Sequence, residues 1–299
     1  MNKKLASLLF VIIILIIIVV AVGIKNKSPK DKTSSRVDEQ LPSIISQEMF
    51  YSGENFYWAV NQAEPVKERD DIEMVIVPHH LIASHHISRL IKMSAGRDIR
   101  QVIIIGPNHD NVGTSPLATA KAKWQTPLGE VMANSELTEK LAADLKISLD
   151  YNVFVNEHSI GAVVPFIKYY LPEAEILPIA VSSYASAKEI NLLKDWLLAN
   201  VTKNTLVVVS IDFSHYLSKG EAEKRDKITK DLILSNNLDK ILTLGQIEYV
   251  DSPVSLAVAL SYAQVRGLEI NFLDHTNSFD LSTEKIAETT SHFAIYFVK

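Results

Sequence analysis

MVIVPH (Met74–His79), VIIIGPNH (Val102–His109) and LVVVSIDFSH (Leu206–His215) are the segments that decide the fold. Each begins as an apolar, β-branched run of the kind that suits a strand covered on both faces. Each then meets Pro, Gly, Asn, Ser or Asp, which end strands and open loops, and each runs out into a histidine. In an open α/β sheet, ligands bind beyond the carboxyl ends of parallel strands. Three histidines delivered to that edge can converge on one point. Imidazole is a common transition-metal ligand, so the pattern points to a metal or acid–base site.

Outward from these runs, strand and helix patterns alternate. Strands are expected at 73–77, 101–105, 151–155, 175–181, 205–211, 268–273 and 292–298. Helices are expected at 82–94, 135–146, 160–170, 186–200, 220–234 and 253–266. The segment Trp124-Gln125-Thr126-Pro127-Leu128-Gly129 reads as loop or turn. The alternation predicts a single α/β domain with a central, mostly parallel sheet flanked by helices.

The composition is globular, with 47% hydrophobic and 22% charged residues among 299. A net charge of −5 leaves no basic footprint, which argues against nucleic acid as a partner. There is no cysteine, which excludes disulfides, thiolate zinc sites and cysteine nucleophiles. Any metal must sit on His, Asp or Glu. A G-x-S-x-G elbow, an H-E-x-x-H helix, a Walker A loop and a G-x-G-x-x-G turn are all missing.

Leu5 to Ile24 carry no charge over twenty residues, about the length that spans a bilayer as a helix. The run is longer than the h-region of a signal peptide, so residues 1–24 are expected to be an uncleaved transmembrane anchor. Lys25, Lys27, Lys30 and Lys32 follow it, outnumbering Lys3 and Lys4. By local charge the C-terminal side would be cytoplasmic, but a short tail before one span commonly stays inside. The expectation is a single-pass cell-membrane protein with an extracytoplasmic domain. Residues 25–46 read as a flexible tether, and 47–299 as the folded domain.

Within the domain, His79 follows Pro78 directly after a strand, and His80 is adjacent. Consecutive side chains point different ways, so one of the two should face the site while the other packs. His109 is exposed by the Gly106-Pro107 turn. Glu157 and His158 follow another short apolar run. Asp212 and His215 lie three residues apart; Asp212 either ligates a metal or holds His215 in one tautomer, and a loop cap is the plainer alternative. His85 and His86 are expected on a helix, at the surface or behind the site. Along with His275 and His292, their plain reading is an ordinary hydrogen-bonded side chain. His275 remains a candidate at the rim.

These segments resemble a known family. Pro78-His79, Gly106-Pro107-Asn108-His109, Trp124-x-Thr126-Pro127-Leu128-Gly129, Glu157-His158-Ser159 with Pro165-Phe166, and Ser210-x-Asp212-Phe213-Ser214-His215 occur in the order seen in MEMO family proteins. In bacteria and archaea these are called AmmeMemoRadiSam system protein B. Phe50-Tyr51 resembles the family's N-terminal motif. The family fold is related to class III extradiol dioxygenases, which hold non-haem Fe(II) with two histidines and a carboxylate. The resemblance implies metal ligands at His79, His109 and His215. It places Asp212, Glu157 and His158 at further pocket positions. Where relatives often carry a Cys-Gly pair, this chain has Asp251-Ser252-Pro253. A carboxylate in place of the thiol would favour Fe(II), Mn(II) or Zn(II) over Cu(I). Family members usually have a PHAGY-type loop; here Pro78-His79-His80-Leu81-Ile82 lacks its Gly and Tyr.

The leading expectation is therefore a mononuclear metal site, with Fe(II) first and Zn(II) or Cu as alternatives. Its ligands would come from His79, His109, His215, Asp212 and Asp251. Glu157, His158 and His215 would serve acid–base chemistry. Asn108, His80 and Trp124 would contact an unknown small molecule or peptide. Such a site suits a dioxygenase-like oxidoreductase. A non-catalytic peptide- or protein-binding module and a zinc hydrolase are the rivals. The family's bacterial name also implies a functional link to radical-SAM and AMMECR-like proteins.

Overall fold

The three histidine-terminated runs become close neighbours because each can bury apolar side chains on both faces of one sheet. The structure, a computed structural model, describes residues 41–45 and 53–299. In chain order, the strands are β1 (Ser43–Ile45), β2 (Ile72–Val77), β3 (Gln101–Asn108), β4 (Leu117–Thr119), β5 (Lys123–Thr126), β6 (Gly129–Met132), β7 (Ser148–Leu149), β8 (Glu175–Ser182), β9 (Thr205–Ser210), β10 (Glu269–Asn277) and β11 (Ser291–Val298). The principal helices are α1 (Gly53–Ala63), α2 (Ser84–Met93), α3 (Ser135–Leu145), α4 (Val164–Tyr170), α5 (Ala187–Asn200), α6 (Lys219–Leu234) and α7 (Pro253–Arg266).

The main sheet runs β10-β11-β2-β9-β3-β8-β4-β7. Its centre, β2-β9-β3-β8, is parallel throughout. Antiparallel pairings join β11 to β2 and β4 to β8. Strand side chains alternate between faces. Val75, Val102, Ile104 and Val208 therefore pack on one side with Ile87 of α2 and Phe166 of α4. Met74, Ile103, Ile105 and Val207 pack on the other with Leu193 of α5 and Leu256 of α7. Since β9 lies between β2 and β3, the loops that follow all three open side by side at one edge.

Local chemistry sets the helices that frame this edge. In α2, Ile87, Leu90 and Ile91 recur at helical spacing and are buried. A capping box of Ser186 and Glu189 starts α5. At α7, Ser252 accepts from the Ser255 N–H, Pro253 opens the first turn, and Gly267 closes the helix at φ 68°.

Several expectations change. Residues 151–154 form a 3-10 turn instead of a strand, since Asp150 caps them by accepting from the Asn152 N–H. The expected loop at 124–129 is a β5–β6 hairpin in a second sheet, β1-β5-β6. Ser43–Ile45, assigned to the tether, pairs in parallel with Lys123–Gln125. His85 and His86 are buried, on the inward face of α2. Leu5–Ile24 and Phe50-Tyr51 lie outside the described residues. Among the described residues no helix is long and apolar enough to cross a membrane. The single-pass, extracytoplasmic placement is therefore not carried forward, since the described residues supply no span for it.

Candidate metal centre

His79 leaves the end of β2, Asp212 the end of β9 and His109 the end of β3, so adjacency in the sheet brings them together. The His79 N–H donates to Asp212 Oδ1 at 3.2 Å. On the same residue's ring, Nε2 lies 3.4 Å from Asp212 Oδ2 and 3.2 Å from Asp251 Oδ2. Burial disfavours a charged ring there, but Asp212, Asp251 and Glu157 outweigh it and raise His79 to about 9. The same ring holds Asp212 below the usual carboxylate range, against the effect of burial.

The third carboxylate arrives from a different element. Glu157 caps the short helical turn His158–Gly161 by accepting from the Ser159 N–H at 2.8 Å. Its other bonds reach across to His109: Oε2 accepts from the backbone N–H at 2.8 Å, and Oε1 lies 2.8 Å from Nδ1. Burial alone would raise this carboxyl, yet the His109 and Ser159 hydrogen bonds bring it down to about 2. With Nδ1 engaged by a carboxylate, the His109 Nε2 is left as the donor atom, the usual arrangement behind a metal-binding imidazole.

Gly106 makes this meeting possible. A Cβ there would fall 2.5 Å from Ser159 Oγ, so only glycine lets the turn pack directly on β3. Ser159 Oγ then donates to the Pro107 carbonyl at 3.0 Å.

The His109 and His158 rings stack at 4.2 Å, and the His79 ring stands edge-on to both, 5.0 and 4.9 Å away. One ligand atom from each of these three histidines falls within 4.8 Å of the others, a group able to hold a metal ion. Burial, followed by the neighbouring His79 and His109, lowers His158 to about 4, which keeps it neutral at physiological pH.

Asp251 is placed by exchange with Asp212. The Asp212 N–H donates to Asp251 Oδ2 at 2.9 Å, and the Asp251 N–H donates to the Asp212 carbonyl at 3.0 Å. Asp251 Oδ1 is buried and has no hydrogen-bond partner among the described residues.

These groups open into a cavity of about 720 Å³. Asn108, His80 and His215 also line it. The Asn108 amide donates to the Val112 carbonyl and braces the loop after β3. His80 Nδ1 lies 3.2 Å from His292 Nε2. His215 was expected among the ligands, but the group of converging imidazoles contains His158 in its place. The backbone of the post-β9 loop turns away after Asp212: the His215 N–H donates to the Ile247 carbonyl, which seats the ring on the cavity wall. Trp124 is corrected outright. It is fully buried, edge-on to Phe154, in the core beneath β5, and lines no part of the cavity. His275 lies on β10 and bonds Asp226 at 2.9 Å, beside a separate cavity. A residue not singled out in the sequence, Tyr216, does line the site. Its only sequence signal was adjacency to His215.

The family model described as Memo-like protein matches residues 53–291. A MEMO1 family protein of Nitrosopumilus maritimus is 29% identical over 277 residues, covering 89% of this chain and 95% of that one. A MEMO1 family protein of Pyrobaculum aerophilum is 29% identical over 205 residues, covering 66% and 72%. Among solved structures, an uncharacterized protein of Escherichia coli K12 superposes with a TM-score of 0.52 at 12% identity, over 75% of this chain and 99% of that one. That likeness is one of fold.

Proposed function

The chain is a member of the Memo-like protein family, and on that premise we propose that the cavity is a mononuclear metal centre acting on a small molecule. The observation that carries the reading is the convergence of His79, His109 and His158 beside an unpartnered carboxylate oxygen. A buried oxygen such as Asp251 Oδ1 is costly without a donor or a cation. The donor set is imidazole and carboxylate with no thiolate, which suits Fe(II) first and Zn(II) or Mn(II) next.

Each side chain then has a role. His79, His109 and His158 would hold the ion, with Asp251 or Asp212 as the carboxylate. Glu157 orients His109 and keeps the proton on Nδ1. His158, lowered to about 4, offers a neutral ring without first losing a proton. His215, on the cavity wall, is the acid–base group for a bound substrate. Bound Fe(II) would supply redox chemistry with dioxygen, whereas Zn(II) would supply an activated water.

The test is elemental analysis of the full-length protein purified anaerobically, beside a His79→Ala/His109→Ala variant. About one equivalent of a transition metal in the wild type, lost in a folded variant, is expected. A variant that keeps its full metal content, or a wild type that refuses added Fe(II), Zn(II) and Mn(II), overturns the proposal.

A further inference from the structure

We propose that Tyr216 is the specificity-determining residue of the cavity, a platform on which the planar, uncharged or cationic part of the ligand stacks. The inference rests on reading the cavity as the site of a small-molecule ligand.

Tyr216 has φ 55°, in the left-handed region that a bulky residue with a Cβ adopts only at a cost. Its neighbours enforce this. The His215 N–H donates to the Ile247 carbonyl, and the Leu217 carbonyl accepts from the Thr289 N–H. One step further back, Phe213 bridges Val250 and the Ser214 carbonyl accepts from the Ser291 N–H. The backbone on both sides of Tyr216 is therefore anchored to two separate segments. The ring gains no burial in return, since the residue is 68% exposed. Yet it lines the cavity mouth. A large ring that is strained, solvated and aimed at a cavity offers its face to a ligand, and aromatic faces favour planar groups and cations.

Charge narrows the class. Among the described residues that line the cavity, none is Lys or Arg. Around the mouth stand Leu81, Ile82, Gln246, Ile247 and Thr290, all uncharged. Deeper, two carboxylates line the cavity, Asp212 and Asp251, and the His79 ring faces both at 3.4 and 3.2 Å. A carboxylate or phosphate would meet these two carboxylates with no Lys or Arg on the wall to offset them, while a neutral or cationic group meets no such opposition.

The test titrates the full-length protein by ligand-observed NMR with benzyl alcohol, benzylamine and benzoate, which share one ring and differ in charge. Tyr216→Phe and Tyr216→Gly are measured alongside, with metal content and melting temperature taken on the same samples. The alcohol and the ammonium form should bind, with benzoate about tenfold weaker or absent. Tyr216→Gly should weaken benzyl alcohol about fivefold while leaving the melting temperature unchanged or higher, because glycine adopts φ 55° without strain. Tyr216→Phe should bind like wild type. Benzoate binding as tightly as the alcohol, no ring probe binding at all, or undiminished affinity in Tyr216→Gly overturns the inference. If the wild type carries metal and Tyr216→Gly binds as before, the inference about Tyr216 fails and the metal centre stands. If the wild type carries none, the metal reading fails and the ring titrations still decide Tyr216.

Discussion

Asp212 and Asp251 hold each other through a reciprocal pair of hydrogen bonds, N–H to carboxylate one way and N–H to carbonyl the other. The exchange carries a carboxylate from the loop before α7 into a cluster otherwise built from the ends of β2, β3 and β9 and from the turn that starts at Glu157. Among the described residues, none donates a hydrogen bond to the buried Asp251 Oδ1.

Asp251→Asn should therefore separate charge from position. An asparagine whose side-chain oxygen faces the Asp212 N–H preserves that bond and removes the negative charge. Metal affinity should fall about tenfold or more, with the melting temperature little changed or raised in the metal-free protein. A competition titration against a chromophoric chelator reads this, and unchanged affinity would remove Asp251 from the site.

Glu157→Gln should do more damage than its size suggests. The carboxylate takes two backbone N–H groups and faces the His109 ring at Nδ1. An amide can present only one accepting oxygen, so an N–H meets an NH₂. Stability should drop by about 1–3 kcal/mol, and metal affinity by about 10–100-fold through misorientation of His109. Chemical denaturation and metal titration test the two effects separately.

Gly106→Ala should push the His158–Gly161 turn off β3, because the new methyl would meet Ser159 Oγ at 2.5 Å and its Cβ at 2.8 Å. A loss of about 1–3 kcal/mol is expected from the overpacking, together with weaker metal retention. Adding Ser159→Gly removes both clashing atoms and should restore part of the stability. Failure of the second change to rescue would mean that the strain lies elsewhere.

Acid should destabilise the fold through His85 and His86. Burial, followed by Arg89, lowers His85 to about 4, with Asp274 opposing. Burial, followed by His85, His292, Arg89 and His275, lowers His86 to about 2. Both rings have depressed values in the folded state. Above pH 6.5 they are neutral whether folded or not, and no penalty arises. As pH falls below 6.5 the unfolded chain takes up protons that the folded chain refuses, so stability declines towards pH 4. The two together should cost roughly 2–4 kcal/mol at pH 5. Urea midpoints between pH 7 and pH 5 should show a shallower decline in the His85→Gln/His86→Gln variant; an equal slope would contradict the burial argument.

How much of this was legible beforehand varies with the range of the interaction. The apolar runs ending at Val77, Asn108 and Ser210 were readable because strand propensity and strand breakers act within a few residues. The helices at 135–146, 186–200 and 253–266 were readable through periodicity and caps. By contrast, Tyr151–Phe154 looked like a strand from its apolar content, yet the Asp150 cap bends it into a 3-10 turn. Trp124, in a segment read as loop or turn, was expected to contact a ligand, but the β5–β6 hairpin turns its ring inward to Phe154.

The sequence by itself determined the family, the α/β class and the delivery of His79 and His109 to a sheet edge, because each of these follows from local pattern. Only the tertiary structure decided which further groups complete the cluster. His158 stacks on His109 because Gly106 admits its turn against β3, whereas His215 is drawn to the wall by Ile247. Asp251 joins through two hydrogen bonds to a residue 39 positions away. Side-chain direction in loops is set by contacts between segments distant in the chain, and no spacing rule along one segment encodes those contacts.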